Sequence, residues 1–436
     1  MNRSQFFSFA NHKTKSKPYL QGELKNVILL LLGIFCFSKT VSQPKDSLPL
    51  SLENKVSQLI NKGIQQRAFP GAQVLLYKKG QTLLHQSYGF HTYDSLTPVS
   101  NTDLYDLASV TKVMASTLVF MKLYELYNID LDQKVSHYVS LLKHSNKKNT
   151  TYREVLSHSA GWLPYIVHQD RVRRKNGSFK NNTLASASSR KYPTQISQNL
   201  FIHKNYKKKI MRRIRRTPLS TLGEYKYSGL WFFLLPQLTE QLSGLPFDDF
   251  LNRYFYEPMG LERIAFIPSK KFSINEIVPT EIDSLFRKQL VQGWVHDEAA
   301  AMMGGVSGNA GLFANAASLK PLLQMLLQMG EYNGKRYLQT ETVSQFTQKT
   351  YPDSKNRRGL GFDKPETGAL VSTYPSKLAS PDSYGHSGFT GTFIWADPQQ
   401  EAIMIFLSNR VYPTRAQNGI YTLNIRGQLL DYLLEE

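Results

Sequence analysis

A serine and a lysine stand three positions apart in DLASVTKV, residues 106–113, and could act as a nucleophile and its base. On a helix, positions i and i+3 lie on one face, so the Ser109 hydroxyl could reach the Lys112 amine. The same spacing recurs at Ser42, Ser140, Ser145 and Ser188. The pattern is therefore weak by itself. Only Ser109 begins a sustained helical apolar pattern, which would draw its lysine toward a core.

Two further short motifs carry side chains that suit acyl transfer. Tyr227 lies in YKYSGLW, between a strongly basic stretch and an apolar helical pattern. His386, Ser387 and Gly388 lie in GHSGFTG, near the C-terminus. A tyrosine beside an aromatic helix start is more often a packing residue. A His-Ser-Gly triplet is more often a turn or a strand edge, so neither motif is informative alone.

Serine attack on a carbonyl needs a base, because the hydroxyl is a poor nucleophile at neutral pH. Lysine serves only when neutral, which burial and a second nearby cation promote. Tyrosine serves if its pKa falls from about 10, which a nearby ammonium promotes. With Lys112 and Tyr227 beside Ser109, each base would alter the other. The residues therefore predict a proton-transfer pair, without a choice between its members.

The order of the predicted elements indicates how these motifs could meet. A helical pattern over 52–67 is followed by two strand-like runs joined by a turn at Lys79-Gly80. From Ser109 to about Leu326 the pattern is mostly helical, and strand patterns return near the C-terminus. This order predicts an α+β fold, an α/β sandwich whose antiparallel sheet is built from both chain ends and flanked by helices. A mostly helical domain is inserted between, and the cleft beside it is a common place for ligands.

The N-terminus carries basic residues and then the apolar run VILLLLGIFCF, from Val27 to Phe37. The run is short for a bilayer span and typical of an export signal, which predicts a signal peptide over 1–43. We expect a periplasmic or cell-surface protein, membrane-associated if the segment stays uncleaved. The single cysteine, Cys36, lies in this run after Phe35, where a lipid-modified cysteine usually follows a small residue. A mature chain would then hold no disulfide and no thiol nucleophile.

The net charge of +20 comes from two segments of the chain. Residues 171–216 hold fifteen Lys and Arg and no acid, and residues 1–43 hold six against Glu23, so the remainder is neutral. No nucleic-acid recognition module appears, and nucleic acid is not an expected partner. One interpretation of the basic insertion is a solvated loop with an amphipathic helix, and the other is a contact with an anionic envelope polymer or membrane surface. The stripe that the helix would bury is Ile202, Tyr206, Ile210 and Ile214.

Four segments together resemble the serine β-lactamase and penicillin-binding-protein superfamily, closest to its class C and esterase-like branch. They are LYDLASVTKV, LSHSAGW, GGVSGNAGLF and GHSGFTGTFIWADP, in the family's order, within about residues 50–434. That superfamily carries Ser-x-x-Lys, then Tyr-x-Asn or Ser-x-Asn, then a Lys/His-x-Gly strand. The resemblance implies a serine hydrolase in which Ser109, Lys112 and Tyr227 are catalytic. It implies no metal and no organic cofactor.

The resemblance also implies an oxyanion hole made by the backbone N–H groups of Ser109 and Phe389. His386, Ser387 and Gly388 would form the adjoining substrate-binding strand. A helix N-terminus at Ser109 leaves N–H groups free, and Gly388 would let a substrate approach the strand backbone closely.

Two positions depart from the family pattern. Gly229 stands where many relatives carry the Asn or Asp that grips a substrate amide, which makes peptide-like substrates less secure. His386 stands where efficient β-lactamases carry lysine, and histidine is only partly charged near neutral pH. We therefore expect weak carboxylate recognition and slow or absent β-lactam hydrolysis. Relatives with histidine here resemble esterases, D-aminopeptidases and related acyl hydrolases.

The expected activity is hydrolysis of an ester or amide bond in a small-molecule or cell-wall-derived substrate, through an acyl-enzyme on Ser109. One alternative is a D,D-peptidase or weak β-lactamase acting on cell-wall peptides. The other is a non-catalytic envelope-binding protein that uses the basic insertion. His158 and His296 have no partners at metal-ligand spacing, so we expect them to make structural hydrogen bonds.

The predicted hydrolase domain covers 44–436. Its α/β part is expected at about 50–108 and 331–436, and its helical part at about 109–330, with the basic insertion at 171–216.

Overall fold

The computed structural model of the protein describes residues 50–366 and 374–436. The signal peptide predicted over 1–43 lies outside these residues. Within them, none of the helices combines the length and the apolar character that crossing a bilayer requires. The division into an α/β part and a helical part stays a prediction.

The strands and helices of the described residues are as follows. The strands are β1 Gly71–Lys78, β2 Gln81–Gly89, β3 Tyr105–Asp106, β4 Leu184–Ala185, β5 Thr194–Ser197, β6 Leu200–Ile202, β7 Ile264–Phe266, β8 Glu281–Asp283, β9 Gln289–Val291, β10 Leu312–Ala314, β11 Glu331–Tyr332, β12 Lys335–Arg336, β13 Tyr384–Ser387, β14 Phe393–Asp397 and β15 Ala402–Ser408. The α-helices are α1 Leu52–Gln65, α2 Leu118–Tyr127, α3 Tyr152–Leu156, α4 Tyr206–Arg216, α5 Leu235–Ser243, α6 Phe247–Leu251, α7 Glu298–Met302, α8 Ala316–Leu327, α9 Thr340–Thr347, α10 Gly419–Thr422 and α11 Ile425–Glu435. Short 3₁₀ helices are Ala108–Val110, Val135–His137, Ser140–Leu142, Gln169–Arg171, Trp231–Phe233, Pro268–Lys270 and Ile274–Glu276, and π-helical turns are Lys112–Thr117 and Asn252–Tyr256.

A five-stranded antiparallel sheet joins the two ends of the chain in the order β13-β14-β15-β1-β2. The predicted turn between β1 and β2 is present, and both Lys79 and Gly80 have positive φ, at 46° and 83°. Two consecutive residues with positive φ are typical of the tight turns that match the twist of a hairpin. In the pairing of β1 with β15, Val74 lies opposite Phe406. The α+β fold predicted from the sequence is therefore confirmed.

Strand β1, which lies between β15 and β2, is buried at every position and contributes side chains to two cores. Val74 and Leu76 face a core that contains apolar residues of α1 and α11. Leu75 and Tyr77 face the larger core, which includes α8 and the helical region. Alternate side chains of a strand point to opposite faces, so the sheet is covered by helices on both sides.

The basic insertion folds into the small sheet β4-β6-β5 followed by α4. Tyr206, Ile210 and Ile214 are buried on one side of α4, as the amphipathic interpretation predicts. Ile202 is also buried, but it lies in β6, so the predicted stripe is shared by a strand and a helix. Strands β4 to β10 all lie in the stretch predicted as mostly helical. They are two to four residues long, too short to leave a period in the sequence.

Candidate active site

Ser109 lies in the 3₁₀ turn Ala108–Val110, just before the π-helical turn that leads into α2. The Lys112 Nζ donates a hydrogen bond to Ser109 Oγ at 2.9 Å and another to the backbone oxygen of Asn309 at 2.8 Å. The side chain of Lys112 is buried, whereas Ser109 is partly exposed. The short spacing thus places a buried amine against an accessible hydroxyl.

The backbone before Ser109 is bent and held by local hydrogen bonds. Ala108 has a φ of 46°, a left-handed conformation that is uncommon for a residue with a side chain. Its N–H donates to Asp106 Oδ1 at 2.8 Å. From the loop between β13 and β14, Thr392 Oγ1 donates to the Leu107 carbonyl at 2.9 Å. These contacts fix the nucleophile-bearing turn relative to the His-Ser-Gly segment.

Tyr227 lies beside two cations. Its ring centroid is 5.4 Å from Lys112 Nζ and 5.7 Å from the guanidinium carbon of Arg358. Its hydroxyl is buried and makes no hydrogen bond within the described residues. A buried phenol without a partner is rare in a folded protein, and at a cavity it is available to a substrate or to the nucleophile. Ser109, Lys112 and Tyr227 are therefore brought together in the fold.

His158 packs against Tyr227 and makes a hydrogen bond with the backbone. Its ring packs on that of Tyr227 with 4.6 Å between centroids, and its Nδ1 accepts the N–H of Ser228 at 3.1 Å. Burial, and then the charge of Arg358, hold the pKa of His158 well below its usual value, so the ring is neutral. His296 Nε2 lies 2.8 Å from a Glu281 carboxylate oxygen. Both histidines thus make the structural contacts predicted, and residues 50–366 and 374–436 contain no metal-binding cluster of His, Cys, Asp or Glu.

The His-Ser-Gly segment and Phe389 line a cavity of about 320 Å³ together with Ser109. The backbone N–H of Phe389 donates no hydrogen bond within the described residues, so it is available to an oxyanion. Gly388 also has a packing role, and the expected approach of a substrate to its backbone stays a prediction. A Cβ there would lie 2.0 Å from Thr392 Oγ1 and 2.5 Å from the Leu107 carbonyl, both atoms of the protein itself. Glycine is required because this loop packs closely on the turn before Ser109.

His386 is neutral in the structure. Burial, and then the positive charges of Arg358 and Lys112, lower the pKa of His386 to about 3. Its Nδ1 lies 2.8 Å from the carbonyl oxygen of Ser387, which indicates that Nδ1 carries the proton and donates it. Its Nε2 is buried and has no partner among the described residues. The partial positive charge expected from the sequence is therefore absent at neutral pH, because burial and then the nearby Arg358 and Lys112 disfavour the protonated ring.

Arg358 and Asp363 form a buried ion pair in the wall of the same cavity, 3.1 Å apart. Arg357 also pairs with this carboxylate, at 2.9 Å. Burial would raise the pKa of Asp363, but the two guanidinium groups outweigh it and lower the pKa to about 2. The sequence analysis missed this pair, because a buried contact between an arginine and a carboxylate has no motif spacing.

A second cavity, of about 220 Å³, is also lined by Ser109. It is lined in part by Lys112, Tyr227, Gly229 and Asn309. Asn309 belongs to GGVSGNAGLF, which the sequence analysis quoted for the resemblance without giving this residue a role. Two cavities that meet at Ser109 offer separate space for an acyl group and a leaving group.

Comparison with known proteins gives one consistent answer. A family model described as "Beta-lactamase" matches residues 56–426. A curated protein of Escherichia coli (strain K12), named "Putative D-alanyl-D-alanine carboxypeptidase", is 29% identical over 415 residues, which is 88% of this chain and 89% of that protein. One of the same name from Salmonella typhi is 28% identical over 370 residues, 78% of this chain and 79% of its own.

Solved structures show the same fold at low sequence identity. One is titled "EstCE1, a hydrolase with promiscuous acyltransferase activity", with a TM-score of 0.62, 19% identity, and coverage of 88% of this chain and 98% of that one. Another is the octameric penicillin-binding protein homologue from Pyrococcus abyssi, with a TM-score of 0.60, 18% identity, and coverage of 86% and 77%. From its motifs, its fold and the family match, this chain belongs to the β-lactamase family of serine hydrolases.

Proposed function

We propose that this protein hydrolyses an ester or amide bond through an acyl-enzyme on Ser109. The observation that carries the proposal is the 2.9 Å hydrogen bond from the buried Lys112 amine to Ser109 Oγ, at the meeting of two cavities. The free hydroxyl of Tyr227 beside the same amine supports it. A nucleophile within hydrogen-bond reach of a base is the arrangement that activates serine.

In the proposed reaction, Ser109 Oγ attacks the substrate carbonyl and its proton passes to the pair Lys112 and Tyr227. The backbone N–H groups of Ser109 and Phe389 stabilise the oxyanion. The bond to the leaving group then breaks, and the pair returns the proton to the leaving oxygen or nitrogen. Water attacks the acyl-enzyme, gives a proton to the pair, and releases the acid, and the proton returns to Ser109. No step needs a metal or an organic cofactor.

Two features bear on the substrate. The neutral His386 offers no positive charge to a substrate carboxylate at this strand, which favours uncharged esters and amides over β-lactams. The curated relatives are named as carboxypeptidases of D-alanyl-D-alanine, which supports a second candidate, a D,D-peptidase acting on cell-wall peptides. In both cases the protein would act after export, at the periplasm or cell surface.

Labelling with a fluorophosphonate probe tests the nucleophile. We expect the wild-type protein to be labelled and Ser109→Ala to lose the label. Ser140→Ala is the matched control, because Ser140 has the same spacing to a lysine but is exposed outside both cavities. The control should be labelled as the wild type is. Undiminished labelling of Ser109→Ala would overturn the proposal.

A substrate panel then separates the candidates. We expect measurable hydrolysis of a short-chain p-nitrophenyl ester and of a D-amino-acid amide, and little of a chromogenic cephalosporin. Release of D-alanine from a muropeptide at a higher kcat/KM than either model substrate would favour the D,D-peptidase. Failure to hydrolyse any of these substrates, together with failure to label, would favour the non-catalytic envelope-binding protein.

For the basic insertion we propose electrostatic contact with an anionic membrane surface. Lys207, Lys208 and Arg212 are exposed on α4 and have no ion pair within the described residues. The apolar side of α4 is buried in the protein, so the contact would use charge and not insertion of the helix. Nearby, a cavity of about 470 Å³ is lined by Lys134, Lys143 and Lys148.

Sedimentation with vesicles tests this contact. The wild type should bind vesicles that contain phosphatidylglycerol and not vesicles of phosphatidylcholine alone. Reversing the three α4 charges to Glu should abolish this binding. The control variant carries the same charge change outside the basic insertion, with the exposed residues Lys62, Lys335 and Lys377 changed to Glu. It should still bind these vesicles. Equal binding by both variants, or binding of the wild type only to an anionic glycan polymer, would overturn the membrane proposal.

A further inference from the structure

Gly229 has no side chain, which leaves unfilled space in the cavity that Ser109 also lines. A Cβ built on Gly229 would meet no atom closer than the Pro164 carbonyl oxygen at 3.8 Å. The next neighbours are Asn309 Cβ at 3.9 Å and Lys112 Cε at 4.0 Å. These are ordinary contacts, so glycine at this position is not required by packing. The space that a side chain at position 229 would enter is bordered by Asn309.

Asn309 comes to this place from a different element, the loop before β10. Its backbone oxygen accepts the hydrogen bond from Lys112 Nζ at 2.8 Å, which ties the loop to the catalytic amine. Its side-chain Oδ1 accepts a hydrogen bond from Ser307 Oγ at 2.8 Å, and Ser307 is completely buried. The backbone of Asn309 is thus held by Lys112, and its side-chain amide is oriented by Ser307.

The remaining donor of Asn309 faces no protein partner. Its Nδ2 makes no hydrogen bond within the described residues, although only 6% of Asn309 is exposed. The residue lines the cavity of about 220 Å³ together with Ser109 and Lys112. This nitrogen keeps access to the cavity, so its N–H groups can donate a hydrogen bond to a ligand there.

We propose that Asn309 binds a carbonyl oxygen in the acyl part of the substrate, in place of the side chain that Gly229 lacks. The inference rests on the proposed function and names a substrate class for the same site. The preferred substrates carry an amide in the acyl group, as acylated amino acids and peptides do. The missing side chain at position 229 therefore does not exclude peptide-like substrates, because the neighbouring Asn309 supplies an equivalent donor.

Two p-nitrophenyl esters with the same leaving group test this proposal. The N-acetylglycine ester has an amide in its acyl group, and the propionate ester does not. For Asn309→Ala we expect kcat/KM on the N-acetylglycine ester to fall about tenfold or more, because the site loses a donor that this acyl group uses. On the propionate ester, the fall in kcat/KM should be several-fold smaller, since that acyl group makes no such contact.

A second variant separates the loss of the amide from the loss of side-chain volume. Asn309→Leu keeps most of the side-chain volume without the amide and should show the same selective loss. Fluorophosphonate labelling of Ser109 in both variants reports that each is folded. Equal losses on the two esters would assign Asn309 a structural role, and unchanged values on both would remove it from the site, so either result overturns the proposal. If the proposed function itself is wrong, the wild type hydrolyses neither ester and is not labelled.

Discussion

Two regions of the molecule contain lysine and arginine side chains in opposite environments. At the candidate active site, Lys112 and Arg358 are buried and each has specific acceptors. On α4, Lys207, Lys208 and Arg212 are exposed and lack ion pairs in the described part of the chain. A buried cation costs several kcal/mol of desolvation unless partners compensate for it, whereas an exposed cation costs almost nothing. Burial and partners, more than the number of charges, therefore distinguish the site where chemistry is expected.

The two sets of cations also act over different distances. Lys112 and Arg358 lie within 6 Å of the centroid of the Tyr227 ring and lower the pKa of the buried His386. Their fields pass through protein, where screening is weak. The cations of α4 act through solvent, and at physiological salt their field decays over about 8 Å. Variants in the two regions should therefore have effects of different size and kind.

Removing the buried amine should have the largest effect. Lys112→Met keeps the length of the side chain without its amine, so Ser109 loses its hydrogen-bonded base. We expect kcat/KM on a p-nitrophenyl ester to fall by about 10²–10⁴-fold, the usual contribution of a general base. Lys143→Met, which has the same spacing to Ser140 but is exposed, should stay near the wild-type value. A loss of less than about tenfold for Lys112→Met would remove the amine from the mechanism.

Breaking the buried ion pair should be the next largest effect, and it concerns stability. Asp363→Asn leaves Arg358 buried without its carboxylate, which typically costs about 3 kcal/mol of unfolding free energy. Urea unfolding at pH 7 measures this loss. A matched control is Asp170→Asn, just before the basic insertion, since Asp170 pairs with Arg173 in a largely exposed position. The control should change the unfolding free energy by less than about 1 kcal/mol.

The same pair predicts a dependence of stability on pH. The pKa of Asp363 is lowered to about 2 in the folded protein, against about 4 in an unfolded chain. A carboxylate with a lowered pKa stabilises the fold above its unfolded pKa, and this contribution is lost as pH falls from about 4 toward 2. The difference in unfolding free energy between the wild type and Asp363→Asn should therefore shrink over that range. A difference independent of pH would contradict the assignment of the stabilisation to the ionised carboxylate.

Substitution of a glycine should also have a larger effect at the candidate active site than in the basic insertion. At Gly388, a new Cβ would collide with Thr392 Oγ1 and the Leu107 carbonyl, so Gly388→Ala should cost about 1–3 kcal/mol of unfolding free energy and displace the N–H of Phe389. In the insertion, Gly177 has a φ of 81° and open space around it. Gly177→Ala should cost only about 1 kcal/mol, from the backbone alone, and leave hydrolysis unchanged. Equal effects of the two substitutions on the rate would contradict the close packing of the loop on the turn before Ser109.

Those residues of the candidate site that are linked by short spacing or by a family motif can be predicted from the sequence. Lys112 reaches Ser109 because they are one helical turn apart, and the antiparallel sheet follows from hairpin and strand patterns at the two chain ends. Arg358 and Asn309 could not be assigned in this way. Each reaches the site from a distant part of the chain, through a turn without periodicity, and only the packed fold brings it there.

Electrostatic environment was the other property that the sequence left open. The type of residue 386 predicts a partial positive charge, but burial and then two nearby cations hold the histidine neutral. The short strands β4 to β10 escaped prediction because two to four residues cannot show a period of two. In each case the missing information is a tertiary contact and not a local preference.

Charge reversal on α4 should have the smallest effect on catalysis. With Lys207, Lys208 and Arg212 changed to Glu, kcat/KM on a neutral p-nitrophenyl ester should stay within about twofold of the wild type, because exposed charges are screened by solvent and salt. The comparison should be made at low and at physiological ionic strength. A loss of more than about tenfold at physiological salt would mean that the insertion acts on the reaction itself. The contrast between buried catalytic cations and exposed binding cations would then fail, whereas an unchanged rate with lost vesicle binding would assign the two functions to separate regions of the chain.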